Sequence, residues 1–198
     1  MKKIIVVGAT GKLGKEVVEG LGKDYEVICA GRSGPDLKLD AFDFSSVSEV
    51  FDSVGPFDGL VSCIGGTPFK PFEELTMEDF ATGLSTKCLS QLNLAKAAIP
   101  FLSENGSITL TSGIIGDEPL LAGACAAAAN GALNMCVSTL AAEYAGKLRI
   151  NIVSPSIIEN SVDYYGMLFD GLSQHQKKVL FMHIAAPYQR QLLVVCCA

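Results

Sequence analysis

The sequence of 198 residues has no tryptophan, only two histidines, and few charged side chains, which make up 18% of it. Its 15 lysine and arginine residues are outnumbered by 21 aspartate and glutamate residues, giving a net charge of -6. Nonspecific nucleic-acid binding depends on clustered cationic charge, so this composition argues against a nucleic-acid partner.

Metal-ligand spacing is also missing. The seven cysteines mostly lie inside apolar segments, so we expect buried free thiols and no metal site. The apolar run at the start breaks at Gly8 and is too short for a signal peptide. Residues 120–142 carry little charge but are mostly alanine, with Asn130 and Asn134 among them, which favours a buried helix over a membrane span. We therefore expect a cytoplasmic protein without a membrane partner.

What is abundant is apolar sequence, at 49% hydrophobic residues and a mean hydropathy of +0.36. This level fits a buried parallel sheet covered by helices. The length fits one domain over residues 1–198 with one substantial core.

Strand-like and helical segments alternate along the chain. Strands are predicted at residues 4–7, 26–30, 37–40, 59–63, 107–111, 149–153 and 191–196. Helices are predicted at residues 12–21, 46–54, 76–102 with a possible break, 120–145 and 173–186. This alternation predicts an α/β fold: a Rossmann-like, doubly wound, seven-stranded parallel sheet with helices on both faces.

The segment KIIVVGATGKLG joins the first predicted strand to the first helix through Gly8, Gly11 and Gly14. We predict a nucleotide-phosphate cradle, in which Gly8 permits the turn, Gly11 admits a pyrophosphate and Gly14 lets helix and strand pack closely. The intervening cofactor-binding candidates are Thr10, Lys12 and Leu13. The alternative is a glycine-rich turn without a ligand.

The second strand ends with Arg32 and Ser33, where NAD-binding folds usually carry an acid. An arginine fork and a hydroxyl suit the ribose 2′-phosphate, so NADP(H) is predicted over NAD(H). The alternative for Arg32 is a solvated surface side chain. Asp43 is predicted to meet the adenine amino group, or equally to begin a helix.

Ligands of doubly wound sheets bind at the carboxyl ends of the strands. Cys63, Ser112 and Pro155 are therefore expected to face the crevice, with Gly65 in a loop over it.

Taken together, the glycine loop, the strand 59–63, and the segments ITLTSGIIG, ANGAL and RINIVSPS resemble the short-chain dehydrogenase/reductase family over about residues 1 to 160. The resemblance implies NAD(P) in the crevice and a Tyr-x-x-x-Lys pair on a long helix, assisted by Ser and Asn. In that set the tyrosine hydroxyl exchanges the proton and the lysine lowers its pKa.

This chain lacks that catalytic set. Matching ANGAL to the family places Ala126 at the tyrosine and Asn130 at the lysine. Gly113 stands at the serine position, beside Ser112, and Lys87 stands at the asparagine position. An alanine methyl group cannot exchange a proton.

Three functions are compatible with this pattern. The first is an NADP(H)-dependent oxidoreductase acting on a carbonyl or alcohol, with a proton from Ser112, Lys87 or a water held by Asn130. The second is a catalytically inactive nucleotide sensor or regulatory binding protein, and the third is a structural or interaction subunit. Lys87 as a solvated surface charge and Ser112 as a backbone-bonded hydroxyl are the plainer alternatives.

The resemblance also implies nicotinamide contacts from Pro155 and the Ile157 backbone, and a homodimer or homotetramer through helix 120–145. Beyond residue 160 the family carries a substrate lid, so the aromatic and Met side chains at 164–169 either line a pocket or belong to the core. The sequence does not identify the substrate.

Overall fold

The structure, a computed structural model, describes residues 1–155 and the backbone of residues 193–195. Seven strands occur in this part of the chain: β1 (Lys3–Val7), β2 (Glu26–Gly31), β3 (Leu37–Lys38), β4 (Phe57–Ser62), β5 (Leu102–Thr111), β6 (Arg149–Ser154) and β7 (Leu193–Val195). They form one sheet in the order β3-β2-β1-β4-β5-β6-β7. The predicted Rossmann-like α/β fold is confirmed.

Strand β1 lies in the middle of the sheet because its residues are apolar on both faces. Ile4, Ile5, Val6 and Val7 are all buried, and β1 pairs in parallel with β2 on one side and β4 on the other. The run of apolar residues without alternation was the signal for such a strand. The strand order reverses at β1, so the β1 and β4 ends flank the crevice where such folds bind ligands.

Strand β7 corrects the prediction of a sheet that is parallel throughout. The first six strands pair in parallel, whereas β7 runs antiparallel to β6, with Val194 opposite Val153. Apolar alternation and length indicate a strand but carry no information on its direction. Direction depends on the path of the preceding chain.

The described helices are α1 (Lys12–Leu21), α2 (Phe44–Val54), α3 (Met77–Gly83), α4 (Ser90–Ala98) and α5 (Ala124–Glu143). Helix α2 begins two residues before the predicted start because the Asp43 carboxylate accepts hydrogen bonds from the Ser45 and Ser46 amides. The predicted helix 76–102 is interrupted. A π-helical turn at Leu84–Leu89 joins α3 to α4, and a 3-10 turn at Ile99–Phe101 follows α4.

Helix α5 is the long, weakly charged segment, and it is shorter than the predicted 120–145. Its length and composition would also suit a membrane span. In the structure it packs against β6, α3 and the π-helical turn, with Cys125, Ala129 and Leu133 among its buried residues. This packing accounts for its apolar composition, as predicted. The predicted helix 173–186 and the candidate pocket residues at 164–169 lie outside the described residues.

Candidate functional site

The larger cavity of the site, of about 490 Å³, lies where β1, β2 and β4 end. Its lining includes seven of the residues predicted to bind cofactor: Gly8, Thr10, Gly11, Arg32, Ser33, Cys63 and Gly65. Lys12, Leu13 and Gly14 do not line it. Pro155 lies just beyond β6, where its carbonyl accepts a hydrogen bond from the Ile114 amide, and Ile157 lies outside the described residues.

The glycines of the loop are required by geometry. Gly8 has a φ of +84°, and a Cβ there would lie 2.7 Å from the Cys63 carbonyl oxygen. A Cβ on Gly14 would overlap the Gly8 carbonyl oxygen, so Gly14 brings the start of α1 against the end of β1. These are the turn and close-packing roles predicted for the two positions.

The rim of the larger cavity at the β2 end carries polar groups. Arg32 and Ser33 are exposed there, and the Ser33 and Thr10 hydroxyl oxygens lie 3.4 Å apart. Asp40 and Phe42 also line this end, whereas Asp43 does not, since its carboxylate caps α2. Asp43 therefore has its alternative role at the start of a helix, its contact with adenine stays a prediction, and Asp40 is the carboxylate among the residues that line this cavity. Both acids belong to the segment DAFD, Asp40 at its first position and Asp43 at its last. Their roles differ because only Asp43 stands at the N-terminus of α2.

A smaller cavity of about 210 Å³ adjoins the larger one and shares Gly65 and Gly66 with it. It contains all three predicted catalytic candidates, together with the other two positions at which a catalytic residue of the family is replaced. These are Lys87, Ser112 and Asn130, with Gly113 and Ala126. Side chains far apart in sequence thus meet at the ends of β4 and β5.

Lys87 is buried, with 8% of its surface exposed, so the alternative of a solvated surface lysine is wrong. Burial lowers its pKa from 10.5 to about 8, and the nearby Cys63 thiol opposes this shift. In the described part of the chain no carboxylate forms an ion pair with it. Gly65 makes room for it, because a Cβ there would lie 2.8 Å from the Lys87 Cδ.

Ser112 and Asn130 form one hydrogen-bonded unit that lines the smaller cavity together with Lys87. The Ser112 hydroxyl donates to Asn130 Oδ1 over 3.2 Å, and Asn130 Nδ2 donates to the Ala126 carbonyl over 2.8 Å. Both side chains are buried. Their orientation is therefore held by the protein, and the Ser112 oxygen retains lone pairs that can accept a hydrogen bond.

The thiols beside the site are poor nucleophiles. Burial raises the pKa of Cys63 to about 11, although Lys87 partly opposes the shift. Burial, followed by the neighbouring Cys136, raises the pKa of Cys88 to about 11. The cysteines in the described residues are free, and no group of three or more His, Cys, Asp or Glu side chains placed to hold a metal occurs there.

Gln91, which lies outside both cavities but is bonded to Lys87, is a residue that sequence reasoning missed. It is fully buried beneath Lys87 and hydrogen-bonds to both Lys87 and Thr111. The available signal was a glutamine four residues after Lys87, on the same face of a helix.

Known proteins resemble this chain over most of its length. A sequence model described as enoyl-(acyl carrier protein) reductase matches residues 4–189. A tropinone reductase homolog of Arabidopsis thaliana, chloroplastic by name, is 30% identical over 187 residues, covering 80% of this chain and 57% of that protein. An uncharacterized oxidoreductase of Methylorubrum extorquens is 28% identical over 181 residues, covering 79% of this chain and 73% of that one. The chain therefore spans little more than half the length of the Arabidopsis relative.

Solved structures also resemble this chain over most of its length. A protein from Listeria innocua is 37% identical with a TM-score of 0.81, covering 93% of this chain and 94% of that one. A small-chain dehydrogenase in complex with NADPH is 25% identical with a TM-score of 0.74, covering 94% and 81%.

The reversed strand order, with a glycine loop at the point of reversal, defines a protein of the Rossmann class. Within that class, the match over residues 4–189 and these relatives show that the chain belongs to the short-chain dehydrogenase/reductase family, whose members are oxidoreductases that bind nicotinamide cofactors.

Proposed function

We propose that the protein is an NADP(H)-dependent oxidoreductase acting on a carbonyl or alcohol, with Lys87 as the proton donor in place of the missing tyrosine. The observation that carries this proposal is the buried Lys87 in a cavity with Ser112 and Asn130, next to the glycine-loop cavity. The family supplies the reaction class.

The residues of the larger cavity fit a dinucleotide. Gly8 and Gly11 expose backbone beside the start of α1, where a phosphate is favoured by free amides and helix polarity. Arg32 and Ser33 stand where a 2′-phosphate would require charge and a hydroxyl donor. When bound, the cofactor supplies or accepts the hydride.

The residues of the smaller cavity divide the remaining work. The Lys87 ammonium donates a proton toward the substrate oxygen during reduction, and its pKa of about 8 suits acid catalysis near neutral pH. Ser112, held by Asn130, orients that oxygen. In the oxidative direction the neutral Lys87 amine accepts the proton.

Turnover tests this assignment. We expect NADPH consumption with at least one member of a panel of aldehydes and ketones, and a loss of about 100-fold in kcat for Lys87→Met. Reduction by the wild type should decline as pH rises through about 8, because the ammonium is the active form. Lys70→Met is the matched control, since Lys70 pairs with Asp79 outside the smaller cavity.

Full activity in Lys87→Met would exclude Lys87 as the donor. Bound cofactor without turnover on the panel would favour the nucleotide-sensing or regulatory function. A protein that neither binds nucleotide nor turns over would favour an interaction subunit.

Cofactor preference is tested separately by calorimetric titration with NADPH and NADH. We expect the wild type to bind NADPH more tightly than NADH. Arg32→Ala should lower the affinity for NADPH by about 10-fold or more and leave the affinity for NADH nearly unchanged. Lys15→Ala removes an exposed charge from α1 that does not line the cavity, and should leave both affinities unchanged. Equal affinities for the two cofactors in the wild type would contradict the NADP(H) preference.

A further inference from the structure

Gln91 connects the two segments that carry the proposed catalytic groups. Its Nε2 donates to the Lys87 carbonyl and to the Thr111 carbonyl, each over 2.8 Å, and its Oε1 accepts the Thr111 amide over 2.9 Å. Lys87 lies in the π-helical turn, while Thr111 ends β5 and precedes Ser112. One amide therefore ties the Lys87 backbone to the Ser112 backbone.

The π-helical turn explains why side chains, rather than backbone amides, bond the carbonyls of this region. The Ser90 amide reaches back five residues to the Ser85 carbonyl, so the usual four-residue pairing is displaced. Side chains bond the next carbonyls, since the Ser90 hydroxyl donates to Thr86 over 2.7 Å and Gln91 donates to Lys87. A π-helical turn is often found at a functional site, and here it carries Lys87.

The connection extends to the end of β4. The Thr111 hydroxyl donates to the Ser62 carbonyl over 2.6 Å, and Ser62 precedes Cys63 at the cavity. The Thr86 hydroxyl donates to the Gly66 carbonyl over 2.6 Å. This bond connects the π-helical turn to Gly66, one of the two glycines that line both cavities. Hydrogen bonds thus connect the region of the π-helical turn to the residues at and just after the ends of β4 and β5.

We propose that Gln91 is a positioning residue that sets the separation between Lys87 and Ser112 at the site of proton transfer. This inference rests on the proposed function. Gln91 does not line either cavity, so it acts through these two residues and not on the substrate. A role limited to filling the core would be met by an apolar side chain of the same volume, which would make none of the three hydrogen bonds.

The test replaces Gln91 by methionine, which is similar in length and makes no amide hydrogen bond. Leu94→Ala is the control, because Leu94 is fully buried on the same helix and its loss destabilises the core without touching the network. Both variants are compared after measuring unfolding by urea. Gln91→Asn, one methylene shorter, retains an amide but cannot span Lys87 and Thr111 together, and serves if the methionine variant does not fold.

Two readouts separate positioning from general destabilisation. The first is the pH dependence of Lys87 modification by trinitrobenzenesulfonate, followed by peptide mass spectrometry, which requires no turnover. In the described residues Cys63 is the titratable group coupled to Lys87. For this readout the Cys63 thiol is therefore either alkylated in every sample or left unmodified in every sample. The second is kcat and KM for NADPH-dependent reduction.

We expect the modification midpoint of the wild type near pH 8, and a shift upward by at least half a unit in Gln91→Met as Lys87 moves toward water. We also expect kcat to fall at least 10-fold with KM for NADPH changed less than twofold. Leu94→Ala should leave the midpoint in place. Equal midpoints and equal kcat in the two variants would overturn the positioning role.

The outcome also separates this inference from the proposed function. If the wild type shows no turnover but the Gln91→Met midpoint still shifts, the oxidoreductase assignment fails while Gln91 still positions Lys87. If the wild type turns over and Gln91→Met is unaffected in both readouts, the positioning role fails alone.

Discussion

At the scale of single residues, Lys87 stands out because it combines a buried side chain with a charge. Lysines are rarely buried unless they are paired with an acid. Here 8% of the Lys87 surface is exposed, and no carboxylate among the described residues forms an ion pair with this lysine. Such a group lowers the stability of the folded protein when it is protonated, so its retention is understandable if the amine has a chemical task.

This reasoning predicts that Lys87→Met stabilises the protein. The folded-state pKa is lowered from 10.5 to about 8, so the penalty is fully present below about pH 8 and disappears as pH rises toward 10.5. We expect the variant to gain on the order of 2 to 3 kcal/mol in the free energy of unfolding at pH 7, and little at pH 10.5. Urea unfolding at both pH values measures the difference.

Lys15→Met, on an exposed position of α1, is the control and should show no such pH-dependent gain. If the free energy of unfolding differed between wild type and Lys87→Met by the same amount at both pH values, burial of the Lys87 charge would not be the cause of the difference.

At the scale of elements, the junction between β1 and α1 sets the cofactor end of the site. Gly14 is buried there, and the Gly8 carbonyl passes so close that no side chain fits between helix and strand. This contact fixes the start of α1 directly behind the glycine loop, whose Gly8 and Gly11 line the larger cavity. Gly20, on the same helix, has no atoms within 4 Å of its would-be Cβ.

The two glycines therefore predict opposite effects. Gly14→Ala should destabilise the protein by about 2 kcal/mol or more, because α1 must move away from β1, and should weaken NADPH binding. Gly20→Ala should stabilise it by about 0.5 kcal/mol, because alanine favours a helix. Chemical denaturation and calorimetric titration on both variants check this. A neutral Gly14→Ala would show that α1 does not need this close approach.

At the scale of the whole molecule, α5 and the adjacent π-helical turn leave large apolar side chains on the surface. Met135 is 69% exposed and Leu89 is 58% exposed, although their helices pack tightly inside the fold. Such exposed apolar side chains are compatible with an interface, although a contiguous apolar patch is the feature that marks one. Together with the resemblance to family members, this supports our proposal that the protein forms homodimers or homotetramers through α5.

Light scattering coupled to size-exclusion chromatography measures the assembly state. We expect a dimer or tetramer for the wild type and a smaller species for Met135→Glu, because the introduced carboxylate would be buried unpaired at the interface. Met77→Glu is the control, since Met77 is a similarly exposed methionine, at 76%, but belongs to α3 and not to the helix proposed as the interface. A monomeric wild type would exclude this proposal.

Much of the fold was predictable because it depends on local signals. The apolar run before Gly8, the glycine spacing and the alternation of strands with helices indicated the Rossmann-like sheet, and the structure confirms it. The break in the predicted helix 76–102 was anticipated, but its form as a π-helical turn was not. Local propensity does not report a displaced hydrogen-bond pattern, and the side chains of this region bond to distant groups, Gly66 in the loop after β4 and Thr111 at the end of β5.

The sequence by itself determined the fold class, the cradle glycines and the loss of the family's tyrosine, because each follows from residue types at fixed spacing. Only the tertiary structure decided that Lys87 is buried, that Asp40 rather than Asp43 lines the larger cavity, and that Gln91 joins Lys87 to Thr111. These facts arise from contacts between residues far apart in the chain. Burial and cavity geometry are properties of those contacts, and no local pattern encodes them.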